Sequence, residues 1–139
     1  VYVDRFLPKT PLRVIVNHLA EEVTESYPIG LLNKHLVPGQ ISDLINNDRF
    51  VDEIFPEMLN AAEEIADQMK ETEINSGLQY MNQTMDHEIG RLAYLYKRNK
   101  AIRPDEIKTA LEQKTVLTEL IANARIRIDA IQLIREGGN

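Results

Sequence analysis

Cysteine is absent from the 139 residues, which excludes disulfides and thiolate metal sites. Tryptophan is absent too, and aromatic residues make up only 6%. Aliphatic side chains and methionine must therefore fill the interior, as is usual where helices pack on helices. No apolar run approaches the roughly 18 residues that span a bilayer, and no signal-peptide pattern opens the chain. The phosphate-cradling pattern G-x-x-x-x-G-K-[ST] does not occur, so ATP cannot be held by that device. Cations are in deficit: 16 Lys and Arg stand against 22 Asp and Glu, a formal net charge of −6. A duplex-binding surface needs clustered cations to displace counterions, so no strong nucleic-acid surface is expected. A cytosolic origin fits this composition.

Hydrophobic residues reach 43%, enough for one folded domain with a real core. Val1-Tyr2-Val3 reads as strand material already under way, and the expectation is of a piece cut from a larger protein. Phe6 to Pro11 is a stiff connector, because its two prolines fix φ and push their predecessors to extended conformations. Leu12, Val14 and Val16 then alternate at period two, the mark of a short strand, and Glu22 to Thr24 is a candidate pairing partner. After Pro28 the pattern turns helical. Residues 29–36 form one short amphipathic helix stopped by Pro38-Gly39, and residues 41–45 suggest another.

From Pro56 to about Asn99 the pattern predicts a long helix. At about 100° per residue, Met58, Ala61, Ala62, Ile65 and Met69 share one stripe. Ile74, Leu78, Met81, Met85, Ile89, Leu92 and Tyr96 share another, on nearly the opposite face. Glu73 to Gly77 is the soft spot between them, but Ser and Gly are weak helix formers rather than absolute breakers, and a continuous helix is expected. Lys97, Arg98 and Lys100 suit a helix C-terminus. Pro104, with Asp105 and Glu106 beside it, is a strong start signal for a last helix, predicted to run to about Arg135 and to stop at Gly137-Gly138. Its seam is Ala110, Leu117, Ile121, Ala124, Ile128 and Ile131. Two long helices joined by about five residues must run antiparallel. The fold class expected is thus mainly α: a short N-terminal β segment, two short helices, and a long helical hairpin at about 56–99 and 104–136. Residues 1–27 read as a connector with short strands closing a preceding domain, and residues 28–139 as a helical C-terminal domain.

Little chemistry is written on this frame. Asp86-His87-Glu88 comes nearest to a metal motif, but Arg91 stands where the second His of H-E-x-x-H belongs, and neighbouring helical residues point about 100° apart. His18 and His35 have no sequence partners. The expectation is of no catalytic, cofactor-binding or metal-binding residue. Asp52, Glu53, Glu57, Glu63, Glu64, Asp67, Glu71 and Glu73, opposed only by Lys70, read as a solvated stripe or as a face that steers a basic partner. Arg91, Lys97, Arg98, Lys100 and Arg103 form the one cationic cluster. It reads as dipole compensation beside a wet loop, or as a docking point for a partner.

Three segments carry a family resemblance. Arg5-Phe6-Leu7-Pro8-Lys9-Thr10-Pro11-Leu12-Arg13 resembles a connector in the C-terminal region of the bacterial RNA polymerase-associated ATPases of the RapA family. Ala101-Ile102-Arg103-Pro104-Asp105-Glu106-Ile107 looks like that family's hairpin turn, and Arg127 to Ile134 is similar to its closing segment. The matches bracket nearly the whole chain in order. Residues 40–95 resemble the family in pattern more than in identity. The resemblance implies a cytoplasmic bacterial parent, a SWI/SNF-type ATPase that uses ATP and Mg in motor lobes upstream of Val1. Its partners would be RNA polymerase core enzyme and those motor lobes, and its task polymerase recycling. This piece would be a non-catalytic accessory domain. The rival expectation is a free-standing coiled-coil module, unrelated to transcription, that self-associates through the hairpin.

Overall fold

The computed structural model describes residues 3–99 and 103–136. Four α-helices follow in order: α1 (Ile29–His35), α2 (Ser42–Ile45), α3 (Phe55–Arg98) and α4 (Pro104–Ala122). The chain divides into two compact units. One comprises Val1–Pro11 and Met69–Arg125, the other Leu12–Gln68 and Ile126–Asn139. The long helix α3 supplies residues to both.

In the first unit, α3 and α4 form the expected hairpin. Lys114 Nζ donates to Asp86 Oδ1 at 2.6 Å, and Ile121 Cγ2 lies 3.5 Å from where a side chain on Gly77 would begin. Residue numbers fall along α3 as they rise along α4, so the helices are antiparallel. Ile74, Met81, Met85 and Leu92 of α3 are buried with Ala110, Leu117 and Ile121 of α4, and Ile89, Ile107 and Ala124 pack against them. Met81 and Ile121 are wholly removed from solvent, a burial that stabilises the fold by about 1.5–3 kcal/mol for each side chain.

Val3–Arg5 forms a single 3₁₀ turn, closed by Phe6 and Leu7, whose N–H groups both donate to the Val3 carbonyl at 2.9 Å. Phe6 joins the core and meets Tyr80 edge-on, ring centroids 5.2 Å apart. The backbone itself comes in at Gly77: a Cβ there would stand 2.9 Å from the Phe6 carbonyl oxygen. The supposed soft spot of α3 is therefore a contact point. The helix continues through it because tertiary packing outweighs the weak helix preference of Gly.

In the second unit the expected N-terminal β segment is corrected. No strand is present among the described residues, and the pairing reduces to one antiparallel bridge between Val16 and Glu22. Val23 N–H donates to the Ile15 carbonyl at 2.8 Å, but the Ile15 N–H goes to the Thr24 hydroxyl at 2.9 Å. A side chain takes the place of the next ladder bond, and Thr24–Ser26 at once turns into a 3₁₀ helix. Between the paired residues the Asn17 carboxamide oxygen accepts from the N–H groups of Leu19 and Glu21, and Ala20 takes a left-handed φ of 62°. Such local side-chain bonds compete with sheet formation. The strand reading of Val1 and Tyr2 lies outside the described residues.

The two short helices occur as expected. Before α3, Phe50–Ile54 form a turn of π-helix, with Phe55 N–H bonded to the Phe50 carbonyl. Pro56 explains this: it has no N–H for the Asp52 carbonyl and its ring crowds that group, so the turn ahead of it widens. Met58, Ala61, Ala62, Ile65 and Met69, the first predicted stripe, are half-buried.

The last helix stops at Ala122 rather than near Arg135. Asn123 is its C-cap: the Asn123 N–H and side-chain amide still donate to the Glu119 carbonyl, at 3.1 and 2.9 Å, but the next N–H, of Ala124, goes to Ile121 at 3.2 Å, a tightened closing turn. Residues 124–136 run on without helix, turn or bend. Ile128 and Ile131, assigned above to the helical seam, are 56% and 53% exposed. Near the end of this run the Tyr27 hydroxyl donates to the Glu136 carboxylate, and Arg135 lies 3.8 Å from Asp43. The Glu136 bond and charge raise the Tyr27 pKa above its usual 10.0.

Two outcomes follow from these contacts. Gly77→Ala is expected to destabilise the chain by about 1–3 kcal/mol through overpacking against the Phe6 carbonyl. Gly90→Ala, which meets nothing within 4 Å, should stabilise it by about 0.5–1 kcal/mol, as for an open helical site. Urea unfolding of both variants checks this, and equal signs would refute the close approach. Tyr27 should titrate above an ordinary tyrosine by ultraviolet absorbance and fall back in Glu136→Gln. A raised folded pKa favours the folded state while the phenol keeps its proton, so that contribution is complete below the unfolded pKa near 10. It is lost as pH rises through the folded pKa.

Candidate docking tip of the hairpin

The cationic cluster gathers where α3 ends and α4 begins. Lys97 and Arg98 occupy the last turn of α3, and Arg103 is the residue ahead of Pro104 at the first turn of α4. All three are exposed. Lys100 lies outside the described residues. Asp105 and Glu106 stand in the first turn of α4, so each helix end carries the charge that complements its own dipole. The surface is thus one of mixed sign, less cationic than the sequence cluster suggests.

Arg91 is already engaged. Its guanidinium forks onto Glu88, Nη2 to Oε1 at 2.6 Å and Nε to Oε2 at 3.1 Å. The hydrogen bond holds the Glu88 carboxyl below its usual range against the opposing effect of desolvation, and Arg91 is raised in turn, by Glu88 and more weakly by Glu106. Arg98 sits over the ring of Tyr94, 4.7 Å from guanidinium carbon to centroid, and Tyr94 is 54% exposed. Stacking of this kind pre-orders a guanidinium while leaving its edge free to bond. Lys97 and Arg103 are exposed at this end of the hairpin beside the stacked Arg98. The i,i+3 pairing of Glu88 with Arg91 and the i,i+4 spacing of Tyr94 and Arg98 could both have been found by helical spacing.

The residues of the acidic stripe, Asp52, Glu53, Glu57, Glu63, Glu64, Asp67, Glu71 and Glu73, are exposed. Arg49 reaches Glu53 at 3.7 Å and Lys70 reaches Glu71 at 3.9 Å. His18, His35 and His87 are exposed. Among the described residues no polar or charged side chain is buried, and no three potential metal ligands cluster. Shallow grooves occur along Leu111, Lys114, Thr115, Thr118 and Glu119 of α4 and around Arg103, Asp105, Glu106 and Thr109. No helix among the described residues is long and apolar enough to cross a membrane.

The fold is that of a mainly helical domain built on an antiparallel hairpin. Residues 1–135 match the profile of the RNA polymerase recycling family, C-terminal region, and the chain belongs to that family. It is 30% identical over 141 residues to the RNA polymerase-associated protein RapA of Proteus mirabilis, with 96% of this chain covered, and 31% identical over 133 residues to that of Actinobacillus succinogenes, with 94% covered. The Vibrio campbellii RapA is 28% identical over 135 residues, with 95% covered. The chain spans 14% of the length of each of these relatives. No solved structure matches it.

The Glu88–Arg91 fork has a titration consequence. Glu88 should lose its proton at lower pH than an ordinary glutamate, followed by carboxyl NMR shifts, and should return toward the ordinary value in Arg91→Gln. With the folded pKa depressed, the pair's contribution is present above the unfolded pKa and disappears as pH falls through the folded one. An unchanged Glu88 midpoint in Arg91→Gln would contradict the fork.

Proposed function

We propose that the chain is a non-catalytic accessory domain of a longer, cytoplasmic bacterial ATPase of the RapA type, which binds RNA polymerase and promotes its recycling. The observation that carries this reading is the family match over residues 1–135, together with the relatives' name, RNA polymerase-associated protein. ATP, Mg and the SWI/SNF-type motor belong to other parts of that polypeptide. The domain's own work is contact with polymerase core enzyme or with the motor lobes.

The hairpin tip supports the docking role by its form. Lys97 and Arg103 are exposed point and fork charges, and Arg98 is held on Tyr94. A partner surface rich in carboxylates fits them. The net charge of −6 works against nucleic acid as the ligand of this piece.

The test is capture of polymerase core enzyme by the longer polypeptide, by the isolated chain, and by each with Lys97→Glu, Arg98→Glu and Arg103→Glu combined. Charge reversal should weaken capture at least about tenfold, as for charged pairs at a rim, with helicity and melting unchanged. Undiminished capture with the triple variant would sink the tip as the docking site. Failure of the longer polypeptide to bind polymerase would sink the functional reading as a whole.

A further inference from the structure

α3 carries Gly77 and Gly90 in its interior, and the chain itself accounts for only the first. Gly77 admits the Phe6 carbonyl, whereas nothing lies within 4 Å of where a Cβ on Gly90 would stand. No described glycine has a positive φ, so the backbone conformation does not call for glycine at this position either. Glycine in a helix interior is less favourable than alanine. A locally unfavourable residue with no compensation inside the chain marks a functional position.

Gly90 lies 13 residues beyond Gly77, which carries it about 20 Å along the helix and about 220° around it. It is exposed, turned away from the core that Gly77 faces. Residues three, four and seven positions away share its face. They are Gln83, Asp86, His87, Tyr94 and Lys97, all exposed. Asp86 is tied across the hairpin to Lys114 at 2.6 Å. Arg98 lies over the Tyr94 ring, and among the described residues no ion pair holds Lys97 or Arg98. Bare backbone thus sits between a neutralised carboxylate and an exposed ring flanked by two cations.

We infer that this face of α3, from Gln83 to Arg98 with Gly90 at its centre, receives an acidic polypeptide segment of polymerase core enzyme. The segment's backbone packs on Gly90, an apolar side chain meets Tyr94, and its carboxylates bond to Lys97 and Arg98. The inference deepens the docking role proposed above and rests on it, moving the contact from the end of the hairpin to its side. Charge complementarity favours this occupant, because Asp86 is paired and the cations are not. Tyrosine and arginine are also the side chains that most often anchor protein interfaces. Gly77 shows in the same helix what a bare Cα permits: a second backbone within van der Waals reach.

The experiment measures the affinity of the longer polypeptide for core enzyme, and its melting, with Gly90→Ala, Gly90→Leu and Gln113→Leu. Gly90→Leu should weaken binding at least about tenfold and Gly90→Ala about threefold, as overpacking at a close contact does. Neither should lower the melting temperature, since the site is open within the chain. Gln113→Leu, at an exposed position of α4, should leave binding unchanged. In a second arm, a photoreactive benzophenone at Gln83 should crosslink to a polymerase peptide of net negative charge. Undiminished affinity in both Gly90 variants overturns the inference and leaves the proposed function standing, because the polypeptide still binds. Equal loss in Gln113→Leu overturns it too, as added apolar surface anywhere then suffices. Crosslinks only to a second copy, to another part of the same polypeptide or to a basic polymerase peptide do the same. Absence of binding by the unaltered longer polypeptide removes the docking role and this inference together.

Discussion

The hairpin depends on one close approach: the Phe6 carbonyl oxygen against the bare Cα of Gly77. This lets the Val3–Arg5 turn lie directly on α3, and from there Phe6, Leu7 and Val3 reach the apolar side chains that the two helices share. Those helices bring mostly aliphatic and methionine side chains, which pack adaptably and specify position weakly. An aromatic ring locked edge-on to Tyr80 supplies the directional contact the rest of the core lacks. Pro8 and Pro11 then carry the chain away as a stiff connector.

The pattern of apolar residues was sufficient to read the hairpin. The stripe from Ile74 to Leu92 and the seam at Ala110, Leu117 and Ile121 are buried together, and Pro104 opens α4. Where the reading failed, two periods competed for the same residues. Ile121, Ala124, Ile128 and Ile131 fit helical spacing, but Arg125 to Asp129 also fit period two, and the helix closes at Asn123, after which the Ala124 N–H tightens onto Ile121. The N-terminal strand pair failed differently. Its residues do face each other at Val16 and Glu22, but Asn17 and Thr24 spend the neighbouring N–H groups on side-chain oxygens. Gly77 was visible only as a weakness in α3, because the partner that makes it necessary lies 71 residues earlier in the sequence.

The tip was legible as a cluster of charge and not as an arrangement. Sequence groups Arg91 with Lys97, Arg98 and Arg103, yet Glu88 holds Arg91 and Tyr94 orders Arg98. Asp105 and Glu106 dilute the field at the same place. In the acidic stripe Arg49 lies 3.7 Å from Glu53 and Lys70 lies 3.9 Å from Glu71, and surface pairs at such distances contribute little to stability.

The account stands on the docking of the N-terminal turn at Gly77, and a double-mutant cycle between Phe6→Ala and Gly77→Ala addresses it directly. Phe6→Ala should cost about 3–5 kcal/mol as a buried aromatic truncation and release the turn from α3. In that background the Phe6 carbonyl no longer opposes a methyl group, so Gly77→Ala should change from destabilising to neutral or stabilising, as alanine does in an open helix. Measured by urea unfolding, a change of sign between the two backgrounds supports the account. The same effect of Gly77→Ala in both would contradict it.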